Sequence, residues 1–394
     1  MKDSKKNKGK RPLQVLYLPV DDGGCGWHRI RQWHEEFYNR DDVVSVIMTG
    51  KEPPEEQHQI IMDADVIVTR MPGLEYVKLI KTEFAPNKPI VFDHDDNTME
   101  VLPTSEHYAE FGTQDAWAEK DGKIIPVWVT GKTEGFNRYQ NLWGQMGLLW
   151  ILGTADMVTT TVPNLLDHFM KYTSRECMGA TIPNCINYAR YPQGEFIPED
   201  KKKGEIRIGW QGGVSHLGDW EDVSEALSRV LSDYPEVTLH IMGSYYKGAF
   251  KEFKDRITYY PWYPFKAYSF VLKTMGLDGA IIPLEDAKFN EYKSDIKFTE
   301  FSALGVPCLV KDMLPYSRVI KRGENAYTYK TIEEFEKSLR MMIEDLKSGG
   351  KRSKKIAENA SNWAKEHRDI KKVAGDVVKL YKSLVPEEIR EDIM

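Results

Sequence analysis

The amino-acid sequence predicts an α/β protein with two Rossmann-like domains, each built around a parallel sheet. Its 394 residues exceed what one ordinary hydrophobic core requires and suit two such domains. A buried strand, a glycine-containing loop and a helical pattern follow one another at residues 13–38 and again at residues 205–231. Further strands alternate with helical patterns after both openings, which is typical of parallel sheets.

The composition indicates a soluble globular protein and excludes several other classes. Hydrophobic residues make up 41% of the chain and charged residues 29%. Apolar runs stay shorter than the roughly 18 residues that a membrane-spanning helix needs. The basic start lacks the apolar segment of a signal peptide, so a cytoplasmic location is predicted. The net charge of −6 argues against a protein that coats nucleic acid with its whole surface.

The cysteines and the chain start give two further expectations. The four cysteines lack the spacing of a metal site or a disulfide framework, so reduced thiols are expected. Residues 1–11 (MKDSKKNKGKR) form a basic tail that is predicted to be disordered. The tail favours a solubilising role, and contact with a polyanion such as DNA or an acidic membrane surface is the alternative.

The first domain is predicted at residues 12–190. Three glycines in the segment DDGGCGW allow a tight turn or a close approach of the backbone to a ligand. The G-x-G-x-x-G spacing of dinucleotide-binding loops is absent. His28 and Arg29 follow these glycines. Packing of the loop by Trp27 and His28 is the structural interpretation of these side chains.

An acidic run, Asp93, His94, Asp95 and Asp96, follows the fourth predicted strand. Ligands of parallel sheets lie at the carboxyl ends of strands, so these side chains are candidate functional groups. Carboxylates beside a histidine suit a divalent metal by ligand type. Turn formation or helix capping by residues 95–97 is the structural alternative.

A loosely patterned stretch at residues 106–150 is rich in tryptophan. Aromatic side chains with polar tips can serve as platforms for sugars or bases, or can anchor an insertion to a core. Core anchoring is predicted for Trp143 and Trp150, which precede a helical pattern. Both roles stay open for Trp117 and Trp128.

A polar linker at residues 188–203 separates the first domain from a second one, predicted at residues 204–375. The second domain opens with a strand that ends in Gln211-Gly212-Gly213 and continues into an amphipathic helix. A charged C-terminal helix follows.

The most informative segment of the second domain is a strand, loop, helix and strand unit at residues 280–311. Ser294 suits the N-cap of a helix over residues 294–304. The free N–H groups of the first turn lie beside Lys293 and Lys297, and this is a ready site for a phosphate or diphosphate. Glu300, one turn further, could accept hydrogen bonds from the two hydroxyls of a ribose. A surface ion pair between Lys297 and Glu300 is the alternative.

The sequence KSDIKFTEFSALGVPCLV in this unit resembles the donor-sugar segment of GT-B glycosyltransferases, in the large retaining family four. By position, Glu300 matches the glutamate that binds the donor ribose in that family. Tyr292 stands where the family has an earlier glutamate, and Glu291 lies one place away. Lys293 and Ser294 match a variant pattern, N-x-x-K-S-x-x-K-x-x-E.

The resemblance implies two domains whose parallel sheets face each other across a cleft, with a nucleoside-diphosphate sugar held by the second domain. It also implies that the last part of the C-terminal helix, at about 376–394, packs back on the first domain. It implies that the Gly212-Gly213 loop covers the donor phosphates and sugar. The basic residue usual after this strand is missing, and His216 is expected to replace it by donating a hydrogen bond. Ser294 and Lys297 are expected to stabilise the leaving diphosphate.

For the first domain, the resemblance implies contact with the donor or the acceptor. Arg29 resembles an arginine of the corresponding loop, so His28 and Arg29 are expected to face the donor diphosphate or the acceptor. Asp95 or Asp96 is expected to position the acceptor hydroxyl. The family usually needs no bound metal, so no metal and no cofactor are expected.

Together these expectations describe a hexosyl- or pentosyltransferase that moves a sugar to an acceptor hydroxyl with retention of configuration. The acceptor stays open between a hydroxylated DNA base, a polysaccharide and a protein. A sugar-nucleotide epimerase of the same architecture is one alternative. A non-catalytic binder of nucleotide sugars is another, because the glutamate pair is altered.

Overall fold

We analysed a computed structural model, which describes residues 9–71, 74–103, 105, 107–120, 122–126, 136–213, 216–244 and 250–394. Trp128 and the tail up to residue 8 lie outside the described residues. Arg11, by contrast, is described, and it forms a parallel bridge with Ile393. The prediction of a disordered tail is therefore wrong for Arg11.

The strands follow the alternation expected from the sequence. In chain order they are β1 (Leu13–Tyr17), β2 (Val43–Ile47), β3 (Val66–Thr69), β4 (Ile90–His94), β5 (Trp117–Lys120), β6 (Lys123–Pro126), β7 (Met157–Thr160), β8 (Met178–Thr181), β9 (Ile206–Gly212), β10 (Val237–Gly243), β11 (Ile257–Tyr260), β12 (Gly279–Ile282), β13 (Cys308–Lys311) and β14 (Tyr327–Tyr329).

The α-helices lie between these strands and after the last one. They are α1 (Gly24–Gly26), α2 (Gln32–Phe37), α3 (Pro54–Asp63), α4 (Leu74–Leu79), α5 (Tyr108–Phe111), α6 (Arg138–Thr154), α7 (Pro163–Phe169), α8 (Leu217–Asp233), α9 (Phe265–Thr274), α10 (Lys288–Glu291), α11 (Ile296–Ala303), α12 (Ile332–Lys347), α13 (Lys351–His367), α14 (Ile370–Lys382) and α15 (Glu387–Arg390).

The chain forms two compact units. Unit 1 comprises Met1–Asp96, Gly144–Asn187 and Asp369–Met394, and unit 2 comprises Asn97–Trp143 and Tyr188–Arg368. These units differ from the predicted domains at three places. Residues 97–143 and 188–190 group with unit 2, and the return of the chain to unit 1 begins at Asp369 rather than at about 376.

Unit 1 contains a six-stranded parallel sheet in the order β2-β1-β3-β4-β7-β8. Its inner strands β1, β3, β4 and β7 are largely buried, whereas the edge strands β2 and β8 are partly exposed. Helix α14 contributes Ile370, Val377 and Tyr381 to the same core as Leu13 and Val66. The C-terminal helix is thus part of the first Rossmann-like unit.

Unit 2 contains a second six-stranded parallel sheet in the order β11-β10-β9-β12-β13-β14. Its core includes Trp210 on β9 and Trp220 on α8, both fully buried. The chain order reverses direction between β9 and β12. In such sheets this reversal leaves a crevice at the carboxyl ends of the two strands, where ligands bind. The predicted α/β class with two parallel sheets is confirmed.

Several local predictions can be compared with the structure. The helix predicted at residues 294–304 is α11, and its N-cap is Asp295 rather than Ser294. The four cysteines are free thiols, as expected. The prediction of core anchoring is wrong for Trp143 and Trp150, because their side chains are exposed. Trp117 is also exposed. In the described part of the chain, no helix has the length and apolar character needed to cross a bilayer.

Candidate functional site

The best candidate site lies in unit 2, at the carboxyl ends of β9 and β12. β9 ends with Gln211 and Gly212, and α8 begins at Leu217. β12 leads through a loop and α10 into α11. The segments that the sequence singled out in the second domain therefore begin at two adjacent strands of one sheet.

Lys297 is the unusual residue of this region. It is 94% buried, since only 6% of its surface is exposed, and its amine has no hydrogen-bond partner among the described residues. The amine lies 4.8 Å from the centre of the Trp210 ring. Burial, opposed by Asp219 and assisted by Lys293, lowers the pKa of Lys297 to about 7. A buried amine without a partner is costly, so the site favours an anionic ligand.

Gly212 brings the backbone close to this amine. A Cβ at Gly212 would lie 2.9 Å from the Lys297 Nζ and 2.6 Å from the Trp210 ring, whereas a Cβ at Gly213 would meet nothing within 4 Å. Gly243, at the end of β10, has φ +96° and lies against the ring of Trp262. Glycine is therefore needed at 212 and 243 to admit these close approaches.

His216 and Asp219 form a pair beside the two lysines. The His216 Nδ1 lies 2.6 Å from the Asp219 Oδ2, and the Asp219 Oδ1 accepts the Glu285 N–H at 2.9 Å. Burial, and then the charges of Lys293 and Lys297, lower the pKa of His216 to about 3. A neutral ring that donates its Nδ1 proton to Asp219 presents Nε2 as an acceptor. His216 can donate from Nε2 only after it gains a proton.

The start of α11 lies next to this pair. The Lys293 Nζ is 3.4 Å from the His216 Nδ1, and Ser294 directly precedes the N-cap residue, Asp295. Asp295 does not cap the helix with its side chain. Its carboxylate accepts a 2.6 Å hydrogen bond from Arg368, which neutralises it. The first-turn N–H groups can therefore act on an anion without opposition from Asp295.

Glu300 lies deeper in unit 2 than a ribose-binding group at a surface would. Its Oε1 accepts from the Tyr191 hydroxyl at 3.1 Å, and its Oε2 accepts from Gln211 Nε2 at 3.0 Å and from the Tyr268 hydroxyl at 3.1 Å. Burial raises the pKa of Glu300 to about 7. Two tyrosine hydroxyls thus donate to the carboxylate that was expected to accept from two ribose hydroxyls, and the ribose role of Glu300 stays a prediction.

In unit 1, Arg29 forms a buried ion pair. Its Nε and Nη2 donate to the two oxygens of Asp93 at 2.8 and 2.6 Å, and its Nη1 donates to the Ile182 carbonyl and to Asn184. The side chain has no exposed surface. Arg29 therefore holds β4 against the end of β8, and its contact with a ligand stays a prediction.

The acidic residues at the end of β4 in unit 1 differ in their burial and in their ion pairs. Arg70 donates to Asp95 at 2.8 Å. Burial alone would raise the pKa of Asp95, but the charge of Arg70 holds this pKa well below its usual range. Asp96 is half-buried, and ligand atoms of Cys25, Asp95 and Asp96 lie within 4.8 Å of one another.

The two histidines predicted near the unit 1 site lie in the interior. His28 is buried, and its Nδ1 lies 2.9 Å from the Gln32 Nε2. Burial lowers the pKa of His28 to about 4. His94 packs between the rings of Phe92 and Phe169, so it is not part of the group formed by Cys25, Asp95 and Asp96. The catalytic role predicted for His28 stays a prediction.

Sequence reasoning missed several of these contacts. Asp219 follows His216 at helical i, i+3 spacing, and this spacing could have revealed the pair. Tyr191 and Tyr268 carry no local signal, because they lie 109 and 32 residues from Glu300. Arg70 follows a buried strand, and a basic residue opposite an acidic run is the signal that would have found it.

Solved structures of other proteins match this chain over nearly its whole length, although no family model and no curated protein matches the sequence. HepE of Anabaena, solved with UDP, matches with a TM-score of 0.62 and 14% identity over 94% of this chain and 100% of HepE. HepE solved with UDP-glucose has the same TM-score and 13% identity over the same shares.

Two further structures agree. Sucrose-phosphate synthase of Thermosynechococcus elongatus has a TM-score of 0.61 and 12% identity over 94% of this chain and 99% of its own. A glycosyltransferase of Rickettsia africae has a TM-score of 0.61 and 12% identity over 95% of this chain and 99% of its own. The fold is that of the GT-B glycosyltransferases. Identities this low establish the fold alone, so membership of retaining family four stays a prediction.

Proposed function

We propose that this protein is a glycosyltransferase that moves a sugar from a nucleoside-diphosphate sugar to an acceptor hydroxyl. The observation that carries the proposal is the buried Lys297 amine, which has no hydrogen-bond partner among the described residues and lies beside the Gly212 backbone. An anion at the carboxyl end of β9 would supply the missing partner. HepE, of the same fold, was solved with UDP and with UDP-glucose, which supports a nucleotide sugar as that anion.

The diphosphate is proposed to lie between the Gly212-Gly213 turn and the start of α11. Lys293 and Lys297 supply positive charge there, and the hydroxyl of Ser294 and the first-turn N–H groups supply hydrogen bonds. A bound diphosphate would raise the pKa of His216 and favour a protonated ring. His216 would then donate from Nε2, in the role that the sequence predicts for it.

The nucleoside is proposed to lie further along the same sheet edge. Trp262 packs against Gly243 and its ring lies 6.0 Å from that of Tyr268, so an aromatic face is available beside the glycine turn. Glu300 would reach the ribose if the hydroxyls of Tyr191 or Tyr268 share their hydrogen bonds with it.

The transfer step is proposed to retain configuration. The bond between the anomeric carbon and the diphosphate oxygen breaks, and the acceptor oxygen bonds to the same carbon from the same side. The acceptor proton passes to the departing diphosphate oxygen, so no separate strong base is needed. Charge grows on the diphosphate as the bond breaks, and the fixed charge of Lys297 stabilises that transition state.

The acceptor hydroxyl is proposed to be positioned by Asp95 or Asp96 of unit 1. Asp96 is the more accessible of the two, whereas Asp95 is held by Arg70. No step uses a metal ion, so a chelator is expected to leave turnover unchanged. A complete loss of activity that one divalent ion restores would contradict this and would favour a metal at Cys25, Asp95 and Asp96.

The test is a thermal-shift and hydrolysis screen of nucleoside-diphosphate sugars, using wild type, Lys297→Met and Lys288→Met. Wild type is expected to be stabilised by one class of nucleotide sugar and to release the nucleoside diphosphate. Loss of one charge-stabilising group commonly costs about 10²- to 10³-fold in turnover, and Lys297→Met is expected to show a loss of this order.

Lys288→Met is the matched control, because Lys288 lies on α10 but is exposed and pairs with Glu291. Its turnover is expected to match wild type. Equal losses in both variants, or no stabilisation by any nucleotide sugar, would contradict the proposal. A new sugar nucleotide formed without an acceptor would indicate an epimerase instead.

A further inference from the structure

Glu300 carries a buried carboxylate that three donors hold in place. Its Oε1 accepts from Tyr191, and its Oε2 accepts from Gln211 and Tyr268, over distances of 3.0 to 3.1 Å. The three donors come from the linker before β9, from β9 itself and from α9. Each is a neutral hydroxyl or amide, so it fixes the carboxylate without cancelling its negative charge. That charge is therefore available to act on neighbouring groups.

Lys297 lies one turn before Glu300 on α11. Side chains three positions apart on a helix share a face, with their Cβ atoms about 5–6 Å apart. Lys297 and Glu300 expose only 6% and 3% of their surface. Because water is largely excluded, a charge acts more strongly between them than it would at the protein surface. The Glu300 carboxylate therefore favours the charged form of the Lys297 amine.

Other groups also act on this amine from the surrounding elements. Burial is the main cause that lowers the pKa of Lys297 to about 7, whereas Asp219 of α8 and then Glu300 raise it and Lys293 lowers it further. His216 lies beside the two lysines, and burial and their charges lower its pKa to about 3, so its ring is neutral near pH 7. Two carboxylates thus support the charge of Lys297 against burial and against one like charge.

The support from Glu300 grows as the pH rises. Burial raises the pKa of Glu300 to about 7, so its carboxylate forms over the same pH range in which Lys297 loses its proton. The new negative charge opposes that loss, because the two groups titrate together. Asp295, at the N-cap of the same helix, is neutralised by Arg368. Lys297 therefore keeps its charge to a higher pH than it would without Glu300.

We propose that Glu300 is a positioning residue of the diphosphate site, which acts through Lys297 by keeping its amine charged at neutral and alkaline pH. This inference rests on the proposed binding of a diphosphate at Lys297. The role is separate from a contact with the ribose, since it involves only the phosphate part of the donor. A ligand without a nucleoside is therefore expected to respond to the charge of Glu300.

The test is calorimetric titration of inorganic pyrophosphate into wild type and Glu300→Gln between about pH 6 and pH 8.5. The substituted side chain keeps the shape of Glu300 and removes its charge. At about pH 6 the two affinities are expected to agree within about twofold, because much of Lys297 is charged in both proteins. At about pH 8 the variant is expected to bind about tenfold more weakly, because its profile moves down by about one pH unit.

Two further measurements separate charge from packing. Glu358→Gln is the matched control, since the Glu358 side chain on α13 is 61% exposed and pairs with Lys355. Its profile is expected to match wild type. Carbon NMR of the Lys297 side chain, with its signal assigned by its loss in Lys297→Met, is expected to show that Lys297 loses its proton about one pH unit lower in Glu300→Gln. Melting temperatures verify that each variant is folded.

The possible results separate this inference from the proposed function. A ratio of wild-type to Glu300→Gln affinity that stays constant over the pH range would overturn the inference, because a packing defect does not follow the charge of Lys297. A variant that binds pyrophosphate as wild type does at every pH, but binds a nucleoside diphosphate weakly, would assign Glu300 to the ribose alone. In both cases wild type still binds pyrophosphate, so the proposed function stands. A wild type that binds neither ligand would overturn the proposed function and this inference with it.

Discussion

At the residue scale, Lys297 and Glu300 are two buried ionisable groups one turn apart on α11. Burial is the main cause of both shifts: it lowers the pKa of Lys297 from 10.5 to about 7 and raises that of Glu300 from 4.5 to about 7. The sequence suggested a possible surface ion pair, but neither side chain is at the surface. Such groups resist their charged forms unless a ligand completes the site.

These shifts predict an unusual dependence of stability on pH. The pKa of Glu300 is raised, so its stabilising contribution is present below pH 4.5 and is lost as the pH rises to about 7. The pKa of Lys297 is lowered, so its contribution is present above pH 10.5 and is lost as the pH falls to about 7. Each unit of pKa difference corresponds to about 1.4 kcal/mol. The free energy of unfolding is expected to pass through a minimum near neutral pH.

The measurement is denaturant unfolding of wild type and of the Lys297→Met/Glu300→Gln double variant between about pH 5 and pH 9, without ligand. The double variant is expected to show a flatter profile, because neither substituted side chain titrates. Profiles of wild type and variant that run parallel would show that other groups govern the dependence.

At the element scale, the turn after β9 predicts a contrast between two adjacent glycines. In Gly212→Ala the added Cβ meets the Lys297 amine and the Trp210 ring at less than 3.0 Å, whereas in Gly213→Ala it meets nothing within 4 Å. Overpacking of this kind commonly costs about 1–3 kcal/mol. In Gly212→Ala this crowding would also displace the Lys297 amine from the position proposed to contact the diphosphate, so nucleotide-sugar affinity is expected to fall at least about tenfold. Gly213→Ala is expected to leave the affinity within about twofold of wild type.

Calorimetric titration of both variants with the sugar nucleotide found in the screen would measure this contrast. Their melting temperatures show whether the loss is local or global. Equal affinities for the two variants would mean that the ligand does not approach the backbone at Gly212.

The start of α11 gives a second prediction, which concerns the charge of Asp295. The proposed ligand does not contact this carboxylate. Arg368 neutralises Asp295 at the N-cap. In Arg368→Met the Asp295 carboxylate is left next to the proposed diphosphate. Two like charges about 4 Å apart repel by about 1 kcal/mol in water and by about 4 kcal/mol at intermediate polarity. Pyrophosphate affinity is therefore expected to fall about tenfold or more.

The double variant Asp295→Asn/Arg368→Met is the control for this effect. It removes the carboxylate charge as well, so calorimetry is expected to show recovery of most of the pyrophosphate affinity. If the double variant binds as weakly as Arg368→Met, the loss comes from packing of Arg368 on Trp363 rather than from charge.

At the scale of the whole molecule, Arg11 joins the two ends of the chain within unit 1. Its N–H donates to the Asp392 carbonyl, and its carbonyl accepts from the Met394 N–H, both at 2.9 Å. Its guanidinium binds both oxygens of Asp65 at 2.6 Å. Because the Arg11 side chain is 43% exposed, this ion pair is weakened by solvent and is worth about 1 kcal/mol.

Because the sequence predicts a disordered basic tail, deletion of residues 2–8 is expected to leave the free energy of unfolding unchanged, whereas Arg11→Met is expected to lower it by about 1 kcal/mol. Chemical denaturation of both proteins measures the difference. A deletion that destabilises as much as Arg11→Met would show that the tail itself packs on the fold.

The two parallel sheets followed from features that are local in sequence. Short apolar runs, glycines at strand ends and helical periodicity depend on neighbouring residues alone, and they predicted the alternation of strands and helices. The grouping of Gly212 with Lys293 and Lys297 came instead from the resemblance to GT-B glycosyltransferases, and in the structure a Cβ at Gly212 would lie 2.9 Å from the Lys297 Nζ. That resemblance rests on one contiguous segment around Glu300, so it too was visible in the sequence.

Tertiary structure alone decided which polar groups pair and which faces are covered. The contacts of Glu300 with Tyr191 and Tyr268 and of Arg29 with Asp93 join residues from 32 to 109 positions apart, and no local pattern specifies them. Trp143 and Trp150 of α6 were predicted to anchor a core, yet both side chains are exposed. An apolar pattern in the sequence does not specify which segment packs against it. Burial and pairing depend on which segments of the chain fold together. Because burial and pairing set the charge states of Lys297 and Glu300, the sequence by itself did not determine those charge states.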